Sequence, residues 1–193
     1  MSVQELEYKD QVLKIEQDID AMNPRTEFYN MGVMVCDHGR YTLGDIQLDG
    51  DSFMDHLENE GLTLNDVALS LPLYLLDHSG ITMSTRDFND QWDSGMVGRI
   101  YITKQKLRDE YSVKRISKKI LKQAEECLLG EIETYDQYLR GDVYGFTLYK
   151  KSNCDHDEEH LEHIDSCWGF YGDDIKTNGI SDYVENFEKF EEI

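Results

Sequence analysis

Asp77-His78-Ser79 sets three residue types of a hydrolytic triad side by side. In a strand, successive side chains point to opposite faces, so Asp77 and Ser79 would turn away from His78. A working triad needs its base in touch with both partners. The segment therefore reads as a polar hairpin tip with Gly80 in the turn. Further on, Asp93-Ser94-Gly95 repeats the flavour. No G-x-x-x-x-G-K-[ST] run follows, which excludes a P-loop. If the two polar turns converge with Asp45, the carboxylates of Asp45, Asp77 and Asp93 could hold Mg²⁺ beside His78 for metal-dependent hydrolysis. Aspartates at such positions also cap turns without any ligand.

Softer ligands cluster once. Cys154 and His156 are followed by His160 and His163, a set of the kind that zinc takes tetrahedrally. His160 and His163 would share a face if the segment were helical. The spacing matches no standard finger, and Asp157-Glu158-Glu159 suits a solvated loop. A calcium loop counted from Asp49 through Asp51 to Glu60 fails, because Phe53 and Met54 stand where an oxygen ligand and a glycine belong. Cys36, two residues before His38, and Cys167 lie on or beside predicted strands, where buried apolar thiols are the rule. Trp168-Gly169-Phe170-Tyr171-Gly172 reads as a core strand running into a turn, with a binding platform as the alternative. No cofactor is expected beyond these zinc and magnesium candidates.

The elements that would position these residues follow from periodicity. Tyr8, Val12, Ile15, Ile19 and Met22 recur in steps of three and four, predicting a helix over 1–23 that ends at Asn23-Pro24. Strands are predicted at 31–37, 41–48, 99–103, 143–149 and 164–168, and a hairpin over 73–85. Short helical turns are predicted from Asp51 and from Thr63 or Asn65. Ser112 would cap a helix reaching Gly141, with apolar residues at 113, 116, 120, 124, 127, 128, 132, 135 and 139. Ser181 would cap an acidic C-terminal helix. The expectation is α+β: five or six mostly antiparallel strands packed against one long helix, with residues 24–193 as one domain.

The chain has 193 residues, with 40 acids against 19 Lys+Arg and a net charge of −21. That excludes a conventional basic nucleic-acid binder. The longest apolar stretch, Leu71–Leu76, falls far short of the roughly 20 residues of a spanning helix. The charged N-terminus carries no secretory signal. Unpaired cysteine spacing suits a reducing, cytoplasmic setting. The charge is uneven: net −9 over 31–99, +6 over 100–122 and −14 over 123–193. The basic run includes Lys114, Arg115, Lys118, Lys119 and Lys122. It could contact phosphates, but in so acidic a chain neutralisation of the same molecule or of a second copy in a homodimer is preferred.

Five phrases occur in order: MGVMVCDHGRYTLGD, LPLYLLDHSGITMST, WDSGMVGRIYITKQKLRDEY, ETYDQYLRGDVYGF and DSCWGFYG. Together they resemble a family of uncharacterised proteins encoded by bacteriophages, prophages and other mobile elements, over residues 24–175. The resemblance implies an accessory protein that acts on host machinery such as restriction or CRISPR systems. Carboxylates spaced like phosphates can occupy the basic groove of a nucleic-acid enzyme. The leading expectation is thus a non-enzymatic, DNA-mimicking inhibitor of a host defence enzyme. Its contact would include Glu125, Glu126, Glu131, Glu133 and Asp136. The Asp/His hydrolase is one alternative. Another is a protein that sequesters a signalling nucleotide in a pocket of Tyr101, Tyr144, Trp168 and Tyr171, with Arg40, Arg86 and Arg99 for its phosphates.

Overall fold

The computed structural model describes residues 2–153 and 159–193. The fold class is α+β, as expected, but the strands form two five-stranded sheets in two compact units. One unit joins the residues up to Met22 with those from Gly141 onward. The other is Asn23–Arg140.

In the first unit the predicted N-terminal helix is replaced by a hairpin. Strands β1 (Ser2–Tyr8) and β2 (Gln11–Gln17) pair Leu6 with Leu13 and Tyr8 with Gln11. The turn is made by Lys9 in the left-handed region, at φ 57°. Burial chooses the period: Leu13 and Ile15 point to one face, where they meet Leu6, Phe146 and Leu148. The sheet continues through β8 (Val143–Asn153) and β9 (Glu159–Tyr171), and its other edge is the short β10 (Glu191–Glu192). The predicted acidic C-terminal helix is not one element. A single turn, α5 (Ile180–Tyr183), and a 3-10 turn at Phe187–Lys189 lay Ile180, Val184 and Phe190 on the same core.

The second unit holds the sheet β4-β3-β7-β5-β6, with β3 Val33–Cys36, β4 Ile46–Gln47, β5 Val67–Asp77, β6 Ile81–Ser84 and β7 Ser94–Thr103. All its pairs are antiparallel except β3 with β4. The close approach of β7 to β3 requires Gly98, because a Cβ there would sit 2.0 Å from the Val35 carbonyl oxygen. Four helices belong to this unit: α1 (Pro24–Glu27), α2 (Phe53–Asn59), α3 (Lys104–Glu110) and α4 (Lys118–Arg140). Ser52, not Asp51, caps α2 through a reciprocal box with Asp55. A turn does follow Thr63, whose N–H and hydroxyl donate to the Asp66 carboxylate, but it is not helical and runs into β5 at Val67.

The long helix starts later than its apolar spacing suggested. Residues 104–110 form α3, Ser112 sits at φ 51°, and the Ser117 hydroxyl accepts from Ile120 N–H at the start of α4. From there the predicted stripe holds. Ala124, Leu128, Ile132 and Tyr135 are buried against Met34, Leu73, Leu75 and Ile100. Among the described residues no helix is long and apolar enough to cross a membrane.

Candidate functional site

Three loops of the second unit line one open cleft of about 360 Å³. The first is Asp37–Arg40, leaving β3. The second is the tight β5–β6 turn at Asp77. The third runs through Trp92 and Asp93 into β7. The two polar turns of the sequence do converge, because β5 and β7 pair with Leu76 opposite Ser94 and Asp77 N–H donates to the Asp93 carbonyl at 2.8 Å.

Arg40, Asp77, His78 and Asp93 are paired at the cleft, while Asp37 bonds there through its backbone N–H, to the Val97 carbonyl. Arg40 pairs with the Asp77 carboxylate, which also accepts from Tyr41 Oη at 3.4 Å. His78 Nδ1 lies 2.8 Å from Asp93 Oδ2. The hydrogen bond from Asp93, together with its charge, raises the His78 pKa above the usual imidazole value. His38 stacks on Tyr41, and its Nδ1 accepts from the backbone N–H groups of Arg40 and Tyr41. Asp90 accepts from the N–H groups of Trp92 and Asp93, which holds its carboxyl below the usual range and fixes the turn that presents Trp92 to solvent. Trp92 is 91% exposed.

The proposed magnesium set does not assemble. Asp45 is held elsewhere, by Arg25, whose side chain is fully buried. The Arg25 guanidinium spends all five donors. Nε and Nη2 take the two Asp45 oxygens at 2.8 and 2.6 Å. Nη1 takes Glu131 Oε2 and Asn30 Oδ1, both at 2.9 Å, and Nη2 also takes the Gly32 carbonyl. Burial lowers the Arg25 pKa, but the bonds and charges of Asp45 and then Glu131 outweigh it, so the net shift is upward. Asp77, His78 and Asp93 do meet at the cleft, but as two neutralised pairs. β5 ends at Asp77, so His78 and Ser79 lie in the turn and not in a strand, with Ser79 at φ 58°; His78 bonds to Asp93 and to neither chain neighbour.

Among the described residues no three His, Cys, Asp or Glu come together as a metal's ligands would. Cys154 and His156 of the zinc candidate lie outside the described residues. His160 and His163 stand on β9 opposite Ser152 and Tyr149, so three-residue spacing sends them to opposite faces, unlike the helical case. Cys36 is fully buried, and desolvation with the Asp45 charge pushes its thiol up to about 12, which removes it as a nucleophile.

The partner-binding acids of α4 divide in two. Glu125, Glu126 and Glu133 are exposed. Glu131 instead binds Arg25 and accepts from the Met31 and Gly32 N–H groups. Asp136 accepts from Met83 N–H at 2.6 Å and pairs with Arg140. Both serve the fold. Lys114, Arg115, Lys118, Lys119 and Lys122 are all exposed. Lys114 and Arg115 precede α4, so the basic helical edge shrinks to Lys118 and Lys122, the latter 3.5 Å from Glu126.

The residues expected to line an aromatic nucleotide pocket are divided between the units. Tyr101 is buried in the second unit, 2.9 Å from His56 Nε2, while Tyr144, Trp168 and Tyr171 belong to the first unit. Of the arginines, Arg40 lines the cleft; Arg99 donates to Ser70 and lies over Phe53. In the WGFYG segment Phe170 is core, as the strand reading expected, and Trp168 is 47% exposed.

Sequence reasoning missed Arg25 and Trp92. A lone arginine after Asn23-Pro24 carries no pattern signal. A tryptophan in the polar run Asn89-Asp90-Gln91 did carry one. No protein-family model matches the chain, and neither a curated protein nor a solved structure is detectably similar to it.

Proposed function

We propose that this chain is a binding protein of a mobile genome that inhibits a host defence or nucleic-acid enzyme stoichiometrically, through its acidic surface. One observation carries the reading: the charge is segregated by unit. The first unit holds 20 acids against six Lys+Arg, net −14, and the larger second unit holds 20 against 13, net −7. In the first unit Asp165, Asp173, Asp174, Asp182, Glu185, Glu188, Glu191 and Glu192 are all exposed. A dense field of one sign attracts a basic groove at long range and raises the association rate. The pairing of Asp77 with Arg40 and of Asp93 with His78 favours binding over catalysis. The resemblance of five phrases to proteins of phages and mobile elements supports the setting.

The test is affinity capture from a bacterial lysate at low and high salt. Wild type is compared with a variant carrying D173N, D174N, E185Q and E188Q. The proposal expects a nucleic-acid-handling enzyme that is released by salt, captured in smaller amount by the variant and displaced by duplex DNA. A partner that the variant captures at the wild-type level, or that DNA does not displace, would overturn it.

A further inference from the structure

On the sheet of the first unit, Glu16 of β2 pairs with Gly145 of β8, and the Trp168 ring of β9 lies over that glycine. A Cβ on residue 145 would sit 2.2 Å from a Trp168 ring carbon, so the indole packs against bare backbone and is held on that side by the sheet. The side chain remains 47% exposed and walls a cleft of about 430 Å³. The rest of the wall is the chain leaving β2: Glu16, Gln17, Asp18, Ile19 and Asp20. That exit is itself pinned. Asp18 N–H donates to the Val143 carbonyl at 2.8 Å, Gln17 Nε2 to the Gly141 carbonyl at 2.7 Å, and Asp20 N–H to Asp18 Oδ1 at 3.2 Å. Ile19 lines the same cleft and is 88% exposed. Among the described residues no cation pairs with Glu16, Asp18 or Asp20.

An immobilised indole beside three uncompensated carboxylates and an exposed aliphatic chain is suited to one chemical group. A guanidinium stacks on an aromatic face and donates in a planar fork to carboxylates. Its methylene stem would cover Ile19. We propose that this cleft is the anchoring site for an arginine side chain of the protein partner. The inference rests on the reading of the chain as an acidic binding protein and names where the contact is specific and not diffuse. A preorganised aromatic in a partly desolvated pocket has the character of an interface hot spot, whereas scattered exposed carboxylates supply mainly attraction at a distance.

The test uses the full chain and hexa-arginine as probe, read by the Trp168 indole N–H resonance and by calorimetry. The proposal expects saturable movement of that resonance. It expects affinity to fall about tenfold in W168A and in D18N/D20N, and W168F to retain part of it. D173N/D174N removes the same charge elsewhere on the unit and should change affinity less than about twofold. Hexa-lysine should bind more weakly than hexa-arginine. Equal losses in the two double variants, an unmoved Trp168 resonance, or equal binding of the two peptides would overturn the site. A positive peptide result with no partner in the capture experiment would overturn the host-enzyme reading while leaving the site standing.

Discussion

Replacing Arg25 with methionine tests the strongest energetic statement that the structure makes. The side chain is fully buried and spends five donors on Asp45, Glu131, Asn30 and Gly32. Asp45 is 23% exposed and Glu131 11%, so both carboxylates would be left largely without water and without their cation. Removing one partner of a buried pair costs about 3–5 kcal/mol, because the remaining charge is uncompensated. For a chain of this size that corresponds to a fall in Tm of roughly 10–15 °C. R25K keeps the charge but not the fork, and should recover only part of the loss. The decisive variant is R25M/D45N/E131Q. The amide oxygens can still accept from the N–H groups of Met34, Met31 and Gly32, the present partners of the two carboxylates. The triple variant should therefore regain most of the stability lost in R25M. Urea denaturation followed by circular dichroism measures all three. If R25M costs under about 1 kcal/mol, or if the triple variant is no more stable than R25M, the charge argument is wrong and the site is held by packing.

Three further outcomes follow from individual contacts. NMR titration should place the His78 pKa above the ordinary imidazole value, and D93N should bring it back down; an unchanged value in D93N would break the pairing. Because His78 gains its partner on folding, the pair's contribution is complete below the ordinary imidazole value as long as Asp93 is ionised, and fades as pH rises through the raised folded value. Cys36 should resist iodoacetamide at pH 8 in the folded chain and react after denaturation, and rapid native labelling, located by peptide mass, would contradict its burial. G98A should cost about 3 kcal/mol or more, since the new methyl meets the Val35 carbonyl at 2.0 Å; a Tm unchanged from wild type would show that the two strands can part cheaply.

The sequence was most readable where burial and period agreed. The hairpin around Gly80 forms with Tyr74 opposite Ser84, and the α4 stripe from Ala124 to Tyr135 lies on the core. The N-terminus misled because Tyr8, Val12, Ile15 and Ile19 fit a helical period by number while Leu6, Leu13 and Ile15 fit the strand period by burial. Its turn also lacked a signal: Lys9-Asp10 carries no glycine or asparagine, yet Lys9 takes the left-handed conformation. Two sheets were invisible for a different reason. β1 pairs with β10 and β2 with β8, both beyond residue 140, and a local pattern does not encode which distant strand will be the neighbour.

The cleft was half legible. Asp77 and Asp93 were expected to converge and do. Asp45 was grouped with them because all three are loop aspartates, and type alone does not distinguish a ligand from an ion-pair partner. What separates them is Arg25, whose burial makes Asp45 and Glu131 part of the frame. The same separation sharpens the meaning of the −21 charge. Acids of the second unit such as Asp45, Glu131 and Asp136 answer an internal donor, so they contribute rigidity more than field. The exposed acids of the first unit answer none of these buried donors and set the field that a basic partner would meet. Neutralising the first group should unfold the chain, and neutralising the second should leave it folded and slow its association. A four-carboxylate variant of the first unit that lost both stability and binding would deny that division.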